Sequence, residues 1–333
     1  MNVAVPPKGP VDLLTFGESM ASLRTAGALR SGGYLAMHLA GAESNVAIGL
    51  ARLGHSARWA GRVGADEVGE FVLGKLRQEG VRVDCTPRDG ARLTGLMLLE
   101  RRTSDISRAH YYRAGSAGSA LTVADIEPAL AAGARVLHLT GITPALSASA
   151  RDATLWAART AAEAGIMVSL DLNYRSKLWT RPAASEVLRA LAPHAGIIIA
   201  SDDELDLLAD PRELDSQGSG AGDEEVLAQR LLGSGVSEVV VKRGAAGATL
   251  YSAEGTLHET ARRVTSIDTV GAGDAFCAGY LSALLDGRPY PERLARGAVL
   301  GAFAASTRGD WEGLPQRDEL DLLGAYVSGA TVR

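Results

Sequence analysis

Short runs of β-forming residues alternate along this chain with longer Ala-rich or amphipathic stretches. The runs are VDLLTF (11–16), RVLHLTG (135–141), IMVSLDL (166–172), GIIIAS (196–201) and EVVVKRG (238–244). Between them, apolar residues recur at helical spacing, as in 68–76, and an Ala-rich segment covers 147–164. This alternation predicts an α/β fold with a mostly parallel sheet and helices on both faces.

Two stretches, 20–39 and 92–113, interrupt the alternation. In the second of them, LTGLMLLE and RAHYYR flank RRTSDIS like the arms of a hairpin. We interpret both stretches as a small, discontinuous β lid and the rest as one large α/β domain. The lid comprises 20–39 and 92–113, and the large domain comprises 11–19, 40–91 and 114–330. Within the latter, the Gly-, Ser- and acid-rich segment 215–225 predicts a flexible surface loop.

Charge and cysteine content limit the class of partner. The chain has 34 basic and 39 acidic residues without a block of like charge, which argues against nucleic acid or an anionic membrane and favours a small molecule. Cys85 and Cys277 lack CxxC spacing and the six histidines are scattered singly, so neither a disulfide framework nor a zinc site is expected. The sequence shows no signal peptide or membrane span, and we expect a cytoplasmic protein.

The segment DTVGAGD, 268–274, precedes the apolar run AFCAGYLSALL, which predicts a buried helix. A helix start presents unpaired backbone N–H groups and the positive end of the helix dipole. The small residues Gly271, Ala272 and Gly273 would let a phosphoryl group approach those N–H groups closely. The turn is therefore a candidate anion hole.

Asp274 falls in the first turn of that helix. Its carboxylate could accept a proton from a substrate hydroxyl as that oxygen attacks a phosphoryl group. A carboxylate at this place can also serve only as a helix cap. The second carboxylate, Asp268, together with the glycine pair and the adjoining helix in one window, favours catalysis by Asp274.

This window resembles the second signature of the PfkB, or ribokinase-like, family of carbohydrate kinases, and the similarity extends over nearly the whole chain. LAGAESNVAIGLARLG (39–54) resembles the first signature, in which a glycine pair and an asparagine contact the sugar. The resemblance implies these roles for Gly41 and Asn45, with Ala40 in place of one glycine. Asn45 could also cap a helix. The implied fold is ribokinase-like, and the implied cofactors are ATP and Mg²⁺.

Within the family, three further strings resemble kinases of the sugar acid 2-keto-3-deoxygluconate. They are YYRAGSAGSAL (111–121), LDLNYRSKLW (170–179) and TRGDWEGLP (307–315). The resemblance implies that Tyr111, Arg113, Arg175 and Asp310 face the sugar acid.

Two arginines suit an acidic substrate, because a guanidinium donates two parallel hydrogen bonds to a carboxylate. Arg113 and Arg175 could instead be solvated surface residues. Met97 departs from the pattern, since those kinases often carry a tyrosine at this lid position and methionine has no hydroxyl to donate.

Two more resemblances imply which residues bind the nucleotide. SDDE (201–204) is similar to the family's NxxE motif, with Ser201 replacing asparagine, and implies that Glu204 binds Mg²⁺ through water; alternatively, these residues simply begin a helix. KRGAAGA (242–248) is similar to the ATP loop and implies that three residues lie near the phosphates or ribose: Lys242, Gly244 and Gly247. A monovalent cation such as K⁺ is implied at Asp268 and the backbone near Ser306.

These observations favour ATP-dependent phosphorylation of a primary hydroxyl of 2-keto-3-deoxygluconate. A neutral-sugar kinase of the fructokinase or ribokinase type is the alternative enzyme. A sugar-binding regulator that kept the fold and lost catalysis is an alternative of another class. A homodimer or higher homo-oligomer through the lid is expected, because an exposed β lid leaves strand edges and apolar surface to be covered.

Overall fold

The computed structural model describes residues 8–103, 106–209 and 221–323. Its strands, in chain order, are β1 (Val11–Thr15), β2 (Met20–Thr25), β3 (Ala36–Ala40), β4 (Ala57–Trp59), β5 (Val63–Gly64), β6 (Arg88–Asp89), β7 (Leu96–Arg101), β8 (Ser107–Tyr112), β9 (Ala134–Thr140), β10 (Met167–Asp171), β11 (Ile197–Ser201), β12 (Glu238–Lys242), β13 (Ala248–Ser252) and β14 (Gly255–Glu259). Its α-helices are α1 (Ala42–Arg52), α2 (Glu67–Gln78), α3 (Val123–Ala131), α4 (Ala148–Glu163), α5 (Arg181–Leu191), α6 (Ala221–Gly233), α7 (Ala272–Leu285) and α8 (Tyr290–Ala305).

The larger sheet has eight strands in the order β14-β13-β12-β11-β10-β9-β1-β4. The strands from β12 to β4 are parallel, whereas β13 and β14 continue the sheet antiparallel. Apolar cores lie on both faces: α3, α4, α5 and α6 pack on one, and α1, α2, α7 and α8 on the other. The predicted fold class is confirmed, and the five predicted strand runs correspond to β1, β9, β10, β11 and β12.

A separate sheet of four strands has the order β3-β2-β7-β8. The arms of the predicted hairpin are β7 and β8, which pair antiparallel from Leu96 opposite Tyr112 to Arg101 opposite Ser107. The central pair, β2 and β7, is parallel. Apart from Ala40, the last residue of β3, its four strands lie within the two stretches predicted to form the lid, and we refer to this sheet as the lid. The division of the chain into two domains stays a prediction.

Helix boundaries follow local sequence signals. The Ala-rich segment forms α4, whose N-cap Ser147 accepts a hydrogen bond from the Ala150 amide through its side chain. The loop predicted over 215–225 is wrong for 221–225, which belong to α6; residues 215–220 lie outside the described residues. Ala228 and Leu231 of α6 are buried against the core, and this helical apolar spacing outweighs the turn-forming residues before it.

The carboxyl ends of the parallel strands meet at one edge of the large sheet, where Asp171 ends β10, Ser201 ends β11 and Lys242 ends β12. Open α/β sheets place ligands at this edge. One face of the lid, including Met97 and Tyr111, borders the same region. No helix within the described ranges has both the length and the apolar character to cross a membrane.

Candidate active site

A cleft of about 940 Å³ lies between the lid and the carboxyl edge of the large sheet. All the residues that the sequence predicts to contact the sugar line it, together with Gly271 and Asp274 of the segment 268–274. They are Gly41, Asn45, Tyr111, Arg113, Arg175, Asp310, Gly271 and Asp274. The predicted nucleotide residues lie outside this lining, at the ends of β11 and β12 and in the turn after β12.

Asp274 is buried in the first turn of α7. Its Oδ2 accepts a hydrogen bond of 2.7 Å from Asn45 Nδ2, and its Oδ1 accepts one of 3.4 Å from Asn173 Nδ2. Neither Asp274 nor Asn45 is the N-cap of its helix, so the capping interpretation of both is wrong. Burial, supported by the nearby Asp171 charge, raises the pKa of Asp274 to about 7, although the Asn45 hydrogen bond opposes this rise. The carboxyl group can therefore exchange a proton near neutral pH.

The turn before Asp274 needs glycine at position 271. Gly271 has a φ of 78°, and a Cβ on it would lie 2.0 Å from the carbonyl oxygen of Asp310. The Ala275 amide donates to the Gly271 carbonyl at 2.8 Å, so the hydrogen-bond ladder of α7 begins there. Of the amides before it, that of Ala272 donates to the Thr269 carbonyl at 3.3 Å, while those of Gly271 and Gly273 belong to the helix start and are unpaired within the described ranges. A Cβ on Gly273 would lie 3.5 Å from Lys242 Nζ, so a cation borders the turn. This arrangement fits an anionic group.

Lys242 forms an ion pair with Asp171. Its Nζ lies 2.9 Å and 2.8 Å from the two carboxylate oxygens, and Cys277 Sγ lies 3.4 Å from Asp171 Oδ2. Burial alone would lower the pKa of Lys242, but the Asp171 charge outweighs it and the pKa is raised. Lys242 therefore keeps its positive charge beside the turn at all physiological pH values.

Sequence reasoning missed Asp171 and Asn173, although both lie in the string LDLNYRSKLW from which only the arginine was taken. Asn173 has a φ of 39°, a left-handed conformation that non-glycine residues seldom adopt. From there its Nδ2 reaches both Asp171 Oδ2 at 3.5 Å and Asp274 Oδ1. A polar residue directly after a buried strand was the available signal.

Glu204 is fixed by two backbone amides. Its Oε1 accepts from Tyr174 N and its Oε2 from Ser201 N, both at 2.8 Å. Burial, and then the Asp171 charge, raise its pKa. Glu204 is the N-cap residue of a 3₁₀ helix (Leu205–Leu208), but its side chain does not cap that helix, and its carboxylate accepts from the Tyr174 and Ser201 amides instead. Its role in binding Mg²⁺ stays a prediction, and within the described ranges no group of three or more His, Cys, Asp or Glu forms a metal site.

The glycines after β12 occupy a tight turn. Gly244 and Gly247 have φ values of 52° and 97°. A Cβ on Gly247 would lie 2.0 Å from the Glu259 carbonyl oxygen, so the fold itself explains this glycine. An added Cβ on Gly244 would meet nothing within 4 Å. Contact of either residue with a nucleotide stays a prediction.

The arginines predicted to bind a carboxylate differ in their surroundings. Arg113 is mostly buried and pairs with Glu18, with Nε at 2.6 Å and Nη2 at 2.5 Å from Glu18 Oε2. Ser116 Oγ also donates to Glu18. The surface interpretation of Arg113 is therefore wrong, while Arg175 is exposed at the rim of the cleft. Sequence reasoning missed Glu18, whose carboxylate partly neutralises the Arg113 guanidinium.

Lys177 adds a third cation to this rim and was also missed. Its Nζ donates to the Ala109 carbonyl at 3.2 Å and lies 5.7 Å from the centre of the Tyr111 ring. Arg113 lies 5.7 Å from the same ring. Both cations thus lie within cation–π distance of the Tyr111 ring. Met97 is the cross-strand neighbour of Tyr111 and lines the cleft beside it.

Asp310 and Asp268 both approach Arg24 of the lid. Arg24 Nη2 lies 2.6 Å from Asp310 Oδ1, and Nη1 lies 3.8 Å from Asp268 Oδ2. Burial raises the pKa of Asp310, although Arg24 opposes the rise. Asp268 Oδ1 also accepts from the Val270 amide at 3.2 Å. The predicted cation site at Asp268 stays a prediction.

Comparison with known proteins gives concordant results. The profile of the pfkB family of carbohydrate kinases matches residues 12–317. A 2-dehydro-3-deoxygluconokinase of Bacillus subtilis is 38% identical over 316 residues, 93% of this chain and 94% of that protein. A 2-dehydro-3-deoxygalactonokinase of Haloferax volcanii is 35% identical over 303 residues, 90% and 92% of the two chains. The crystal structure of a PfkB protein from Polaromonas sp. JS666 superposes with a TM-score of 0.80 at 36% identity, over 93% and 99% of the chains.

Proposed function

Since the chain belongs to the PfkB family of carbohydrate kinases, we propose that it transfers the γ-phosphoryl group of ATP to the C6 hydroxyl of 2-dehydro-3-deoxygluconate, also called 2-keto-3-deoxygluconate. The observation that carries the proposal is Asp274. It is a buried carboxyl with a pKa of about 7 that lies beside a helix start and lines a cleft with cationic side chains. This combination supports proton transfer and stabilisation of phosphoryl charge in one place.

In the reaction, the substrate hydroxyl gives its proton to Asp274 as its oxygen bonds to the γ-phosphorus. The bond from that phosphorus to the bridging oxygen breaks, and ADP leaves. The short Asn45 hydrogen bond fixes Asp274 Oδ2, whereas Oδ1 accepts only the long, 3.4 Å bond from Asn173 Nδ2 within the described residues, so Oδ1 is the oxygen that would take the proton. The Gly271 and Gly273 amides and the Lys242 ammonium stabilise the phosphoryl oxygens.

Mg²⁺, when bound with ATP, would neutralise phosphate charge. The Glu204 carboxylate fits this need, because each of its oxygens accepts a single backbone amide and can accept a further hydrogen bond from a water ligand of the ion. Asp171 lies nearby but is paired with Lys242 through both oxygens. Glu204 would hold the ion through water. Ser201, Gly244 and Gly247 would border the nucleotide.

Recognition of the sugar acid would rest on the cations of the cleft. Arg113 is partly neutralised by Glu18, so Arg175 and Lys177 would supply most of the attraction for the substrate carboxylate. Tyr111, Asn45, Gly41 and the Asp310 carboxylate would contact the hydroxyl groups. A neutral sugar would leave Arg175 and Lys177 with only their backbone carbonyl partners among the described residues and no anion in the complex, which favours the acid.

The galacto epimer of the substrate is a second candidate, because the Haloferax relative is named for it. Gluconate and galactonate derivatives differ only in the configuration of one hydroxyl at C4. Met97 lies beside Tyr111 on the cleft face of the lid and has no hydroxyl with which to select one configuration. We therefore expect the enzyme to phosphorylate both epimers.

A substrate panel tests the proposal. ADP release would be measured with MgATP and each of 2-dehydro-3-deoxygluconate, its galacto epimer, 5-dehydro-2-deoxygluconate, fructose and ribose. We expect the highest kcat/KM with one of the first two. Turnover restricted to fructose or ribose would refute the assignment to a sugar acid, and absence of turnover with every compound would support the non-catalytic alternative.

Three finer expectations accompany the proposal: a cytoplasmic location, K⁺ near Asp268 and a homodimer through the lid. The dimer draws support from large exposed side chains in and next to the lid, including Tyr34 at 99% and Tyr112 at 63% exposure. Light scattering of the wild type and of Tyr112→Ser tests it. A monomeric wild type at micromolar concentration would contradict it.

A further inference from the structure

The lid makes several polar contacts with the segments that frame the catalytic turn. Trp311 Nε1 donates to the Leu39 carbonyl at 3.1 Å, and Arg101 Nη2 donates to the Ile267 carbonyl at 2.9 Å. Arg24 differs from these because its charged group reaches two carboxylates on different segments, Asp310 and Asp268. The lid is thus joined to both sides of the turn through one guanidinium.

The two carboxylates are coupled to the turn by backbone contacts. Asp268 begins the turn and accepts a hydrogen bond from the Val270 amide. The Asp310 backbone packs against Gly271 so closely that a Cβ there would lie 2.0 Å from its carbonyl oxygen. A shift of Asp310 would therefore displace Gly271 and the amides that follow it. The side chain of Arg24 is only 13% exposed and that of Asp310 only 6% exposed, so solvent screens the pair weakly.

We propose that Arg24 is a positioning residue for phosphoryl transfer, an inference that rests on the proposed function of the cleft. It orients the Asp310 carboxylate at the sugar side and couples β2 of the lid to the turn at 268–274. When the lid moves away, the ion pair with Asp310 breaks and both segments lose a shared restraint. The sugar site and the anion hole are thereby completed together, only with the lid in place.

The coupling between the lid and the turn follows from the charges of Arg24, Asp310 and Asp268. Burial raises the pKa of Asp310 and the Glu312 and Asp268 charges add to the rise, whereas Arg24 opposes it; without the guanidinium, Asp310 loses this opposing cation. Asp310 would then turn or take up a proton. Either change removes the acceptor offered to the sugar and loosens the contact with Gly271.

The test uses Arg24→Gln and Arg24→Lys, with Arg108→Gln as the matched control. Arg108 lies on β8 of the same lid, its side chain is 65% exposed, and it meets Glu100 only at 3.9 Å. We expect Arg24→Gln to lower kcat/KM by on the order of 10²-fold, mainly through kcat, because small displacements of reacting groups have effects of this size. Arg24→Lys should recover part of the loss, and Arg108→Gln should match the wild type.

Amide hydrogen exchange supplies a readout that needs no substrate. In Arg24→Gln, amides of 268–273 and 309–312 should exchange faster, while those of β10 and β11 stay protected as in the wild type. Arg24→Gln within threefold of wild-type kcat/KM, or unchanged exchange in both segments, would overturn the proposal. If Arg24→Gln unfolds, as judged by circular dichroism, Arg24→Lys and Asp268→Asn decide by the same two measurements.

Failure of the proposed substrate is distinguishable from failure of this inference. The kinetic comparison uses whichever sugar the panel identifies, and the exchange experiment uses none. Combining Arg24→Gln with Asp310→Asn should add little to the larger single effect, because both changes break one contact. Fully additive losses would show that Arg24 acts independently of Asp310 and would overturn the proposal.

Discussion

Replacing Asp274 by asparagine should abolish most of the activity and yet stabilise the fold. Asparagine has the same shape, and its Oδ1 can accept the Asn45 hydrogen bond. Its Nδ2 would face Asn173, whose side-chain amide can turn to present the Oδ1 that has no hydrogen-bond partner among the described residues of the wild type, so the site should keep its geometry. It cannot take the substrate proton. Loss of a positioned base lowers turnover by roughly 10²- to 10⁴-fold, and we expect a kcat decrease within this range.

The stability gain follows from the pKa of Asp274, which rises from 3.8 to about 7 on folding. Because the unfolded chain releases this proton at lower pH than the folded protein, the folded wild type binds more protons between these values and loses stability as pH rises through them. At about 1.4 kcal/mol per pKa unit, the loss reaches at most about 4 kcal/mol above pH 7. The Asp274→Asn variant has no titratable group at this position, so its stability does not fall in this way as the pH rises.

Urea unfolding at pH 5 and pH 8 measures the effect. The variant should be more stable than the wild type at both, and the difference should be larger at pH 8. Asp152→Asn, a change at an exposed position of α4, serves as the control and should leave stability nearly unchanged at both values. In parallel, the wild-type kcat should rise through about pH 7 in a coupled ADP assay. A variant that keeps more than a tenth of wild-type kcat, or that is less stable than the wild type at pH 8, would refute the reasoning.

Three further substitutions probe the rest of the site. Arg175→Ala should raise KM for the sugar acid by roughly 10-fold or more while changing little for a neutral sugar, because it removes a carboxylate partner; steady-state kinetics check this, and equal losses for both would contradict the clamp. Gly271→Ala should lose stability and activity, because the φ of Gly271 is 78° and a Cβ would meet the Asp310 carbonyl. Its control is Gly74→Ala in α2, where an added Cβ meets nothing within 4 Å; the free energy of unfolding of this variant should rise by up to about 1 kcal/mol. Thermal unfolding compares the two, and a stable Gly271→Ala would be inconsistent with the contact. Lys242→Met leaves Asp171 buried without its cation and should cost about 3 to 5 kcal/mol; Lys242→Met combined with Asp171→Asn should restore much of the loss in urea unfolding, and no restoration would disprove the pairing argument.

The sequence predicted the fold largely because the inner strands are apolar on both faces. Ile197, Ile198 and Ile199 of β11 are all fully buried, and such runs are typical of parallel sheets. β4, β13 and β14 were not predicted. They lie at the two sides of the sheet, and β14 carries exposed polar residues, so its signal resembles that of a loop.

For the site, the sequence predicted residues that lie in local strings but not their partners. Arg24 and Asp310 are 286 positions apart, and Arg113 and Glu18 are 95 apart. Such pairs depend on tertiary contacts and leave no periodic pattern in the chain. Lys177 and Asn173 were missed for a different reason, since both lie within a string already singled out for its arginine.

The parallel pairing of β2 with β7 at the centre of the lid also bears on how the molecule folds. The chain between these strands includes everything from β3 to β6, so the pairing cannot form by local hairpin closure. The β2–β7 pairing requires that the unit of β1, α1, β4 and α2 has first brought these distant segments together. The lid therefore depends on contacts of high sequence separation. We therefore expect the lid to assemble late in folding. The same order makes it the first element to open from the native state, which suits a part that must admit sugar and release product.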